Sequence, residues 1–120
     1  MFKKKSKINL NYLDLTPFRL HRYQLEDDGK VSVLVPRFTN KLLVKYLSSK
    51  IKSPDIKVML DTFGSAAWLK ADGEKKVSEI AVELLDQFGE RINPVNERLT
   101  KFYTQLYTYK FISFNEIEER

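Results

Sequence analysis

Residues 61–89, DTFGSAAWLKADGEKKVSEIAVELLDQFG, constrain the fold more than any other stretch of this chain. Asp61 is placed to cap a short helix running to about Leu69, with Phe63, Ala67 and Trp68 on its expected buried side. Gly64 inside that helix costs about 1 kcal/mol relative to alanine, which suggests a close approach to another backbone. Asp72-Gly73 then stops the chain. From Val77 to Phe88 the apolar residues Val77, Ile80, Ala81, Leu84, Leu85 and Phe88 recur at i, i+3, i+4, i+7 spacing, and Gly89 ends the run. Two helices on so short a connection predict a helix-turn-helix core. Asn93-Pro94 restarts the chain with a capping residue and a proline at the first helical position. A third helix is predicted to about Tyr109, its core stripe being Val95, Leu99, Phe102, Leu106 and Tyr109.

The residues before this core change period. EDDGK is a turn signal between two runs rich in apolar and β-branched residues, which predicts an antiparallel hairpin with strands near Arg19–Leu25 and Val31–Pro36. Val31, Val33 and Val35 share one face, and Pro36 ends the strand or marks an edge. In NKLLVKYLSSKI the spacing returns to helical: Leu42, Leu43, Tyr46, Leu47 and Ile51 form a stripe, with Lys41, Lys45 and Lys50 off it. IKVML, residues 56–60, reads as a third strand with Ile56, Val58 and Leu60 on one face. FISF at 111–114 reads as a short final strand, the wing of a winged helix. The predicted class is α+β: N-terminal antiparallel strands followed by a three-helix bundle, with an extra short helix at 41–51 between strands two and three. One domain over 15–115 follows a basic tail over 1–14.

Composition excludes several functions. With no cysteine there is no disulfide, thiolate metal site or cysteine nucleophile. His21 is the single histidine, so no His–carboxylate base pair or multi-histidine metal site is expected, and Asp27-Asp28 read as turn chemistry. Four scattered glycines make no phosphate-cradling loop. No catalytic residue, cofactor or metal is therefore expected. The basic opening lacks the apolar run of a signal peptide, and no stretch reaches the roughly 20 apolar residues of a membrane span, so the expectation is a cytoplasmic protein. Charge is uneven: residues 1–57 hold thirteen Lys and Arg against five Asp and Glu, residues 58–120 eight against eleven. The helix-turn-helix half is thus the acidic half, which argues against a DNA reader, since phosphate neutralisation supplies most of such affinity.

Leu60-Asp61, Ser65-Ala66, Trp68 and Asp72-Gly73 stand in order before Val77-Ser78-Glu79-Ile80, and Leu106 and Phe111-Ile112 close the last helix. This order and spacing, over about 56–114, resembles the PqqD family. Two departures are Lys76, where the family caps its second helix with Ser or Thr, and the longer basic segment at 37–55. The resemblance implies a winged-helix module that binds the leader segment of a ribosomally made precursor peptide and presents it to a modifying enzyme, often a radical-SAM protein. The leader would add as a strand beside Ile56, Lys57, Val58, Met59 and Leu60, in a groove between that strand and the third helix. Tyr103 and Tyr107, one helical turn apart beside the core stripe, and Leu106 are the helix residues expected at that groove. No specific nucleic acid and no membrane are expected as partners. A winged helix reading nucleic acid through Arg98, Lys101 and Lys110, or an adaptor that has lost its leader, are the alternatives.

Overall fold

The computed structural model describes residues 11–36 and 55–118. The predicted helix at 41–51 and its lysines, together with Lys52 and most of the basic tail, lie outside the described residues. The described chain is α+β. It divides into two units, residues 21–65 and residues 1–20 with 66–120.

In the first unit three antiparallel strands, β2 (Arg22–Leu25), β3 (Val31–Pro36) and β4 (Asp55–Met59), form one sheet in the order β2-β3-β4. The β2–β3 turn is built as its sequence demands. Gly29 adopts φ 87°, a conformation costly for any residue with a Cβ, and Asp28 accepts a hydrogen bond from Lys30 N–H at 3.0 Å. The register sets Tyr23 opposite Val33 and Val33 opposite Val58, so Val31, Val33, Val35, Ile56 and Val58 share a face. Val31 and Val33 are fully buried. The third strand runs one residue earlier than the expected 56–60. Helix α1 (Thr62–Lys70) begins in this unit, and Asp61 is its cap: the carboxylate accepts from Gly64 N–H at 2.7 Å. Phe63 is half-buried there.

The second unit holds β1 (Pro17–Arg19), the rest of α1, α2 (Val77–Phe88), α3 (Val95–Thr108), β5 (Ile112–Phe114) and the one-turn α4 (Asn115–Glu118). The expected strand over Arg19–Leu25 is broken at Leu20-His21. Pro17–Arg19 pairs antiparallel with Ile112–Phe114 and leaves β2 to the other sheet. Residues 12–14, expected in the tail, form a 3-10 turn capped by Asn11, and Tyr12 stacks on Phe114 with centroids 5.7 Å apart. Helix α2 packs on α3. The residue at its start, Lys76, offers no side-chain acceptor. Glu79 reaches back to Lys76 N–H at 2.8 Å, and Val77 N–H donates to the Leu15 carbonyl, also at 2.8 Å, so two orphan donors are satisfied. Gly89, at φ 80°, ends the helix. A 3-10 turn over Gly89–Ile92 follows, and Pro94 is the extended residue before α3 rather than its first helical position.

The core stripe of α3 is rotated from the expected one. Val95, Leu99, Tyr103 and Leu106 are its buried residues. Phe102 is half-buried, and Tyr109 is 70% exposed beyond the last turn. Trp68, Ile80, Leu84 and Leu99 are fully buried, as the sequence pattern predicts.

Candidate functional site

Strand β4 pairs with β3 on one side, and among the described residues nothing pairs with its other side. Which main-chain groups face that open side follows from two bonds. Glu26 N–H donates to the Lys30 carbonyl at 2.8 Å, so by antiparallel alternation residues 32 and 34 of β3 face β2 and residues 31, 33 and 35 face β4. Leu60 N–H donates to the Val31 carbonyl at 2.9 Å, which gives the same phase from the other end. Val58 and Ile56 therefore spend their N–H and C=O groups on β3. The groups of Asp55, Lys57 and Met59 point to the open side. The side chains there are accessible as well: Ile56 is 42% and Met59 70% exposed, Lys57 is exposed, and Val58 and Leu60 are half-buried. All five strand residues singled out from the sequence thus sit on one edge strand or at its end.

The start of β3 and the end of β4 are fixed by α1. Ser65 Oγ accepts from Val31 N–H at 2.8 Å and donates to the Leu60 carbonyl at 3.3 Å. Val31 N–H thereby has a partner where the ladder ends. On the face shared with Lys57 and Met59, Ser32 donates to Glu26 at 2.5 Å and Gln24 donates to the same carboxylate oxygen at 3.1 Å. The Ser32 bond, then the Gln24 bond, hold the Glu26 carboxyl below its ordinary pKa against the opposing effect of burial. Lys57 adds a weaker pull.

The three helix residues belong to the other unit, and the structure corrects the place of Tyr103. Tyr103, expected to line a groove, is 1% exposed. Its hydroxyl donates to the Ala67 carbonyl at 2.6 Å, and desolvation pushes its pKa well up. That carbonyl is one of the last of α1. Ala71 N–H, its regular helical partner, bonds Trp68 instead, and Arg19 donates to the Trp68 and Leu69 carbonyls at 3.1 and 2.9 Å. Tyr103 thus satisfies a buried acceptor at this helix end, and Arg19 bonds the carbonyls beside it. Leu106, 6% exposed, is core, as its place in the predicted stripe has it. Tyr107 is half-buried, its ring 5.4 Å from that of Phe114, beside a shallow depression of about 370 Å³ with Leu20, Lys110 and Ile112. Desolvation, then Glu118 and Tyr12, raise its pKa.

Among the described residues no cluster of three His, Asp or Glu is placed to hold a metal ion, and no helix is long and apolar enough to cross a membrane. The outward phase of Lys57 and Met59 was open to sequence reasoning only through the turn, because the EDDG hairpin sets the alternation of the whole sheet. Nothing in the sequence marked Tyr103 as a helix-end donor. No family model, curated protein or solved structure matches this chain.

Proposed function

We propose that this chain is a non-catalytic peptide-binding and presentation protein, a winged-helix module of the PqqD kind that takes a precursor's leader segment onto β4 and delivers it to a modifying enzyme such as a radical-SAM protein. The observation that carries the reading is the edge of β4 that no described strand pairs, where Lys57 and Met59 offer N–H and C=O groups beside exposed Ile56 and Met59 side chains. An extended peptide gains main-chain bonds from such an edge and specificity from alternate side chains. The order of motifs from Leu60-Asp61 to Phe111-Ile112 supports the same reading. Tyr103 acts by holding the end of α1, and Leu106 is a core residue of α3. Arg98 and Lys101 share the exposed side of α3 with Glu97, so no single-signed surface favours nucleic acid.

The test is amide-shift mapping of the full chain with a candidate leader, in parallel with two proline variants. Met59→Pro removes an outward donor and should abolish or strongly weaken binding while the sheet stays folded. Val58→Pro removes a donor to β3 and should instead lower stability. Shifts at residues 57 and 59 that change little between low and high salt support strand addition. Shifts confined to residues 23 and 25, the outward positions of β2, or binding that collapses with salt, would overturn it.

A further inference from the structure

The open edge has a side-chain pattern as well as a main-chain one, and the pattern selects a ligand. The inference rests on the strand-addition reading above. Residues whose main-chain groups face outward, Lys57 and Met59, carry their side chains on one face of the sheet, and Ile56 and Val58 carry theirs on the other. Lys57 is exposed, and no ion pair joins it to any described carboxylate. Met59 is a bare apolar surface on the same face, 70% exposed. A residue directly across an added strand sits with its Cα about 5.5 Å from its hydrogen-bonded partner, close enough for side chains to meet.

A second copy of this chain fits badly in the register that pairs the whole strand, and a register slid by two, which sets Asp55 opposite Lys57, pairs only three residues of each copy. Antiparallel self-pairing in full register over residues 55–59 sets Lys57 opposite its own copy, and like charges directly opposite are destabilising. An edge lysine is also a common guard against edge-to-edge aggregation. The same charge that repels a copy attracts a carboxylate brought to that position. We propose that the β4 edge recognises a short extended peptide carrying an acidic residue opposite Lys57, with apolar residues opposite Ile56, Val58 and Met59. The ligand class is an acidic residue embedded in a β-branched or otherwise apolar run. Lys57 is the residue that sets register, because sliding the peptide by two positions leaves the acid opposite Asp55, a like charge, or opposite apolar Met59.

The experiment uses the full chain and two synthetic capped peptides, Thr-Val-Val-Glu-Val-Val-Thr and the same sequence with Lys in place of Glu. Each reads identically in both directions, so either strand orientation sets the central residue opposite Lys57. Amide shifts report where each binds, and titration gives the ratio of affinities. The expected result is shifts at residues 57 and 59 with the Glu peptide bound about tenfold tighter than the Lys peptide. Lys57→Glu, an exposed change, should reverse the order. Equal affinities with shifts at 57 and 59 would overturn the acidic preference while leaving strand addition standing. Silence at 57 and 59 with both peptides would overturn the preference and strand addition together. Concentration-dependent self-association through residues 57 and 59 without peptide would give the edge to a second copy and overturn the proposal.

Discussion

The helical unit and the three-stranded sheet finish their business with water differently. In residues 66–118 and 11–20 the buried apolar residues run from Leu15 through Trp68, Ile80, Leu84 and Leu99 to Phe114, and awkward polar ends are matched: α1 by Tyr103 and Arg19, α2 by Glu79 and Leu15. In residues 21–65, by contrast, Val31 and Val33 are the fully buried apolar residues among those described, while Leu25, Ile56 and Met59 stand exposed at 60%, 42% and 70%. The sheet also leaves main-chain donors and acceptors without a described strand to meet. One region is closed by its own residues. Among the described residues, the other keeps the outer edge of β4 unpaired, the edge proposed to take a peptide.

If that contrast is right, substitutions in the helical unit should cost stability and those on the edge should cost binding. Trp68→Ala should have the largest effect, about 3–5 kcal/mol by chemical denaturation, since a fully buried indole leaves a large cavity. A loss under about 1 kcal/mol would break the picture of a closed unit. Tyr103→Phe should cost about 1–3 kcal/mol, because it strands the Ala67 carbonyl in a buried site. Asp61→Ala removes the α1 cap and should cost about 1 kcal/mol.

Acid gives a smaller test. Glu116 accepts from Thr16 N–H at 2.7 Å and from Thr16 Oγ1 at 2.8 Å. Burial opposes its charge, but the two Thr16 bonds outweigh that and hold its carboxyl below the ordinary value. A carboxyl depressed in the folded state contributes stability that is present above its unfolded pKa and lost as pH falls through the folded one. Glu116→Gln should therefore flatten the loss of stability on acidification from about pH 5 downward, read as a smaller drop in melting temperature. The smallest effect should be on the edge: Met59→Ser should change stability by no more than about 0.5 kcal/mol while weakening peptide binding.

How much of this was legible depended on whether the cause was local. Val31–Pro36 and Val77–Phe88 match their predicted limits, since EDDG, Pro36 and Gly89 punctuate them in sequence. The Asp61 cap was readable for the same reason. Tyr103 was not. Phe102 and Tyr103 are adjacent, and either one satisfies a helical apolar stripe. What decides between them is a hydroxyl partner 36 residues away. The break at Leu20-His21 was hidden too, because Pro17–Arg19 takes its partner from Ile112–Phe114. The strand over IKVML was readable from its alternation. Tyr103 was misplaced because an amphipathic tyrosine was taken for part of an open flank.

The tie between Thr16 and Glu116, 100 residues apart, also sets a timetable. Contacts in the β2–β3–β4 sheet are local by comparison, whereas β1 has no β5 to pair with until residues 112–114 have been added. Long-range pairing of this kind slows folding, because loop closure must precede any gain from contact. On the ribosome, then, Tyr12 and Pro17–Arg19 wait without their partners until residues 112–114 have been made, and Thr16 until residue 116. Chain extension, rather than the helices themselves, sets when this protein becomes complete.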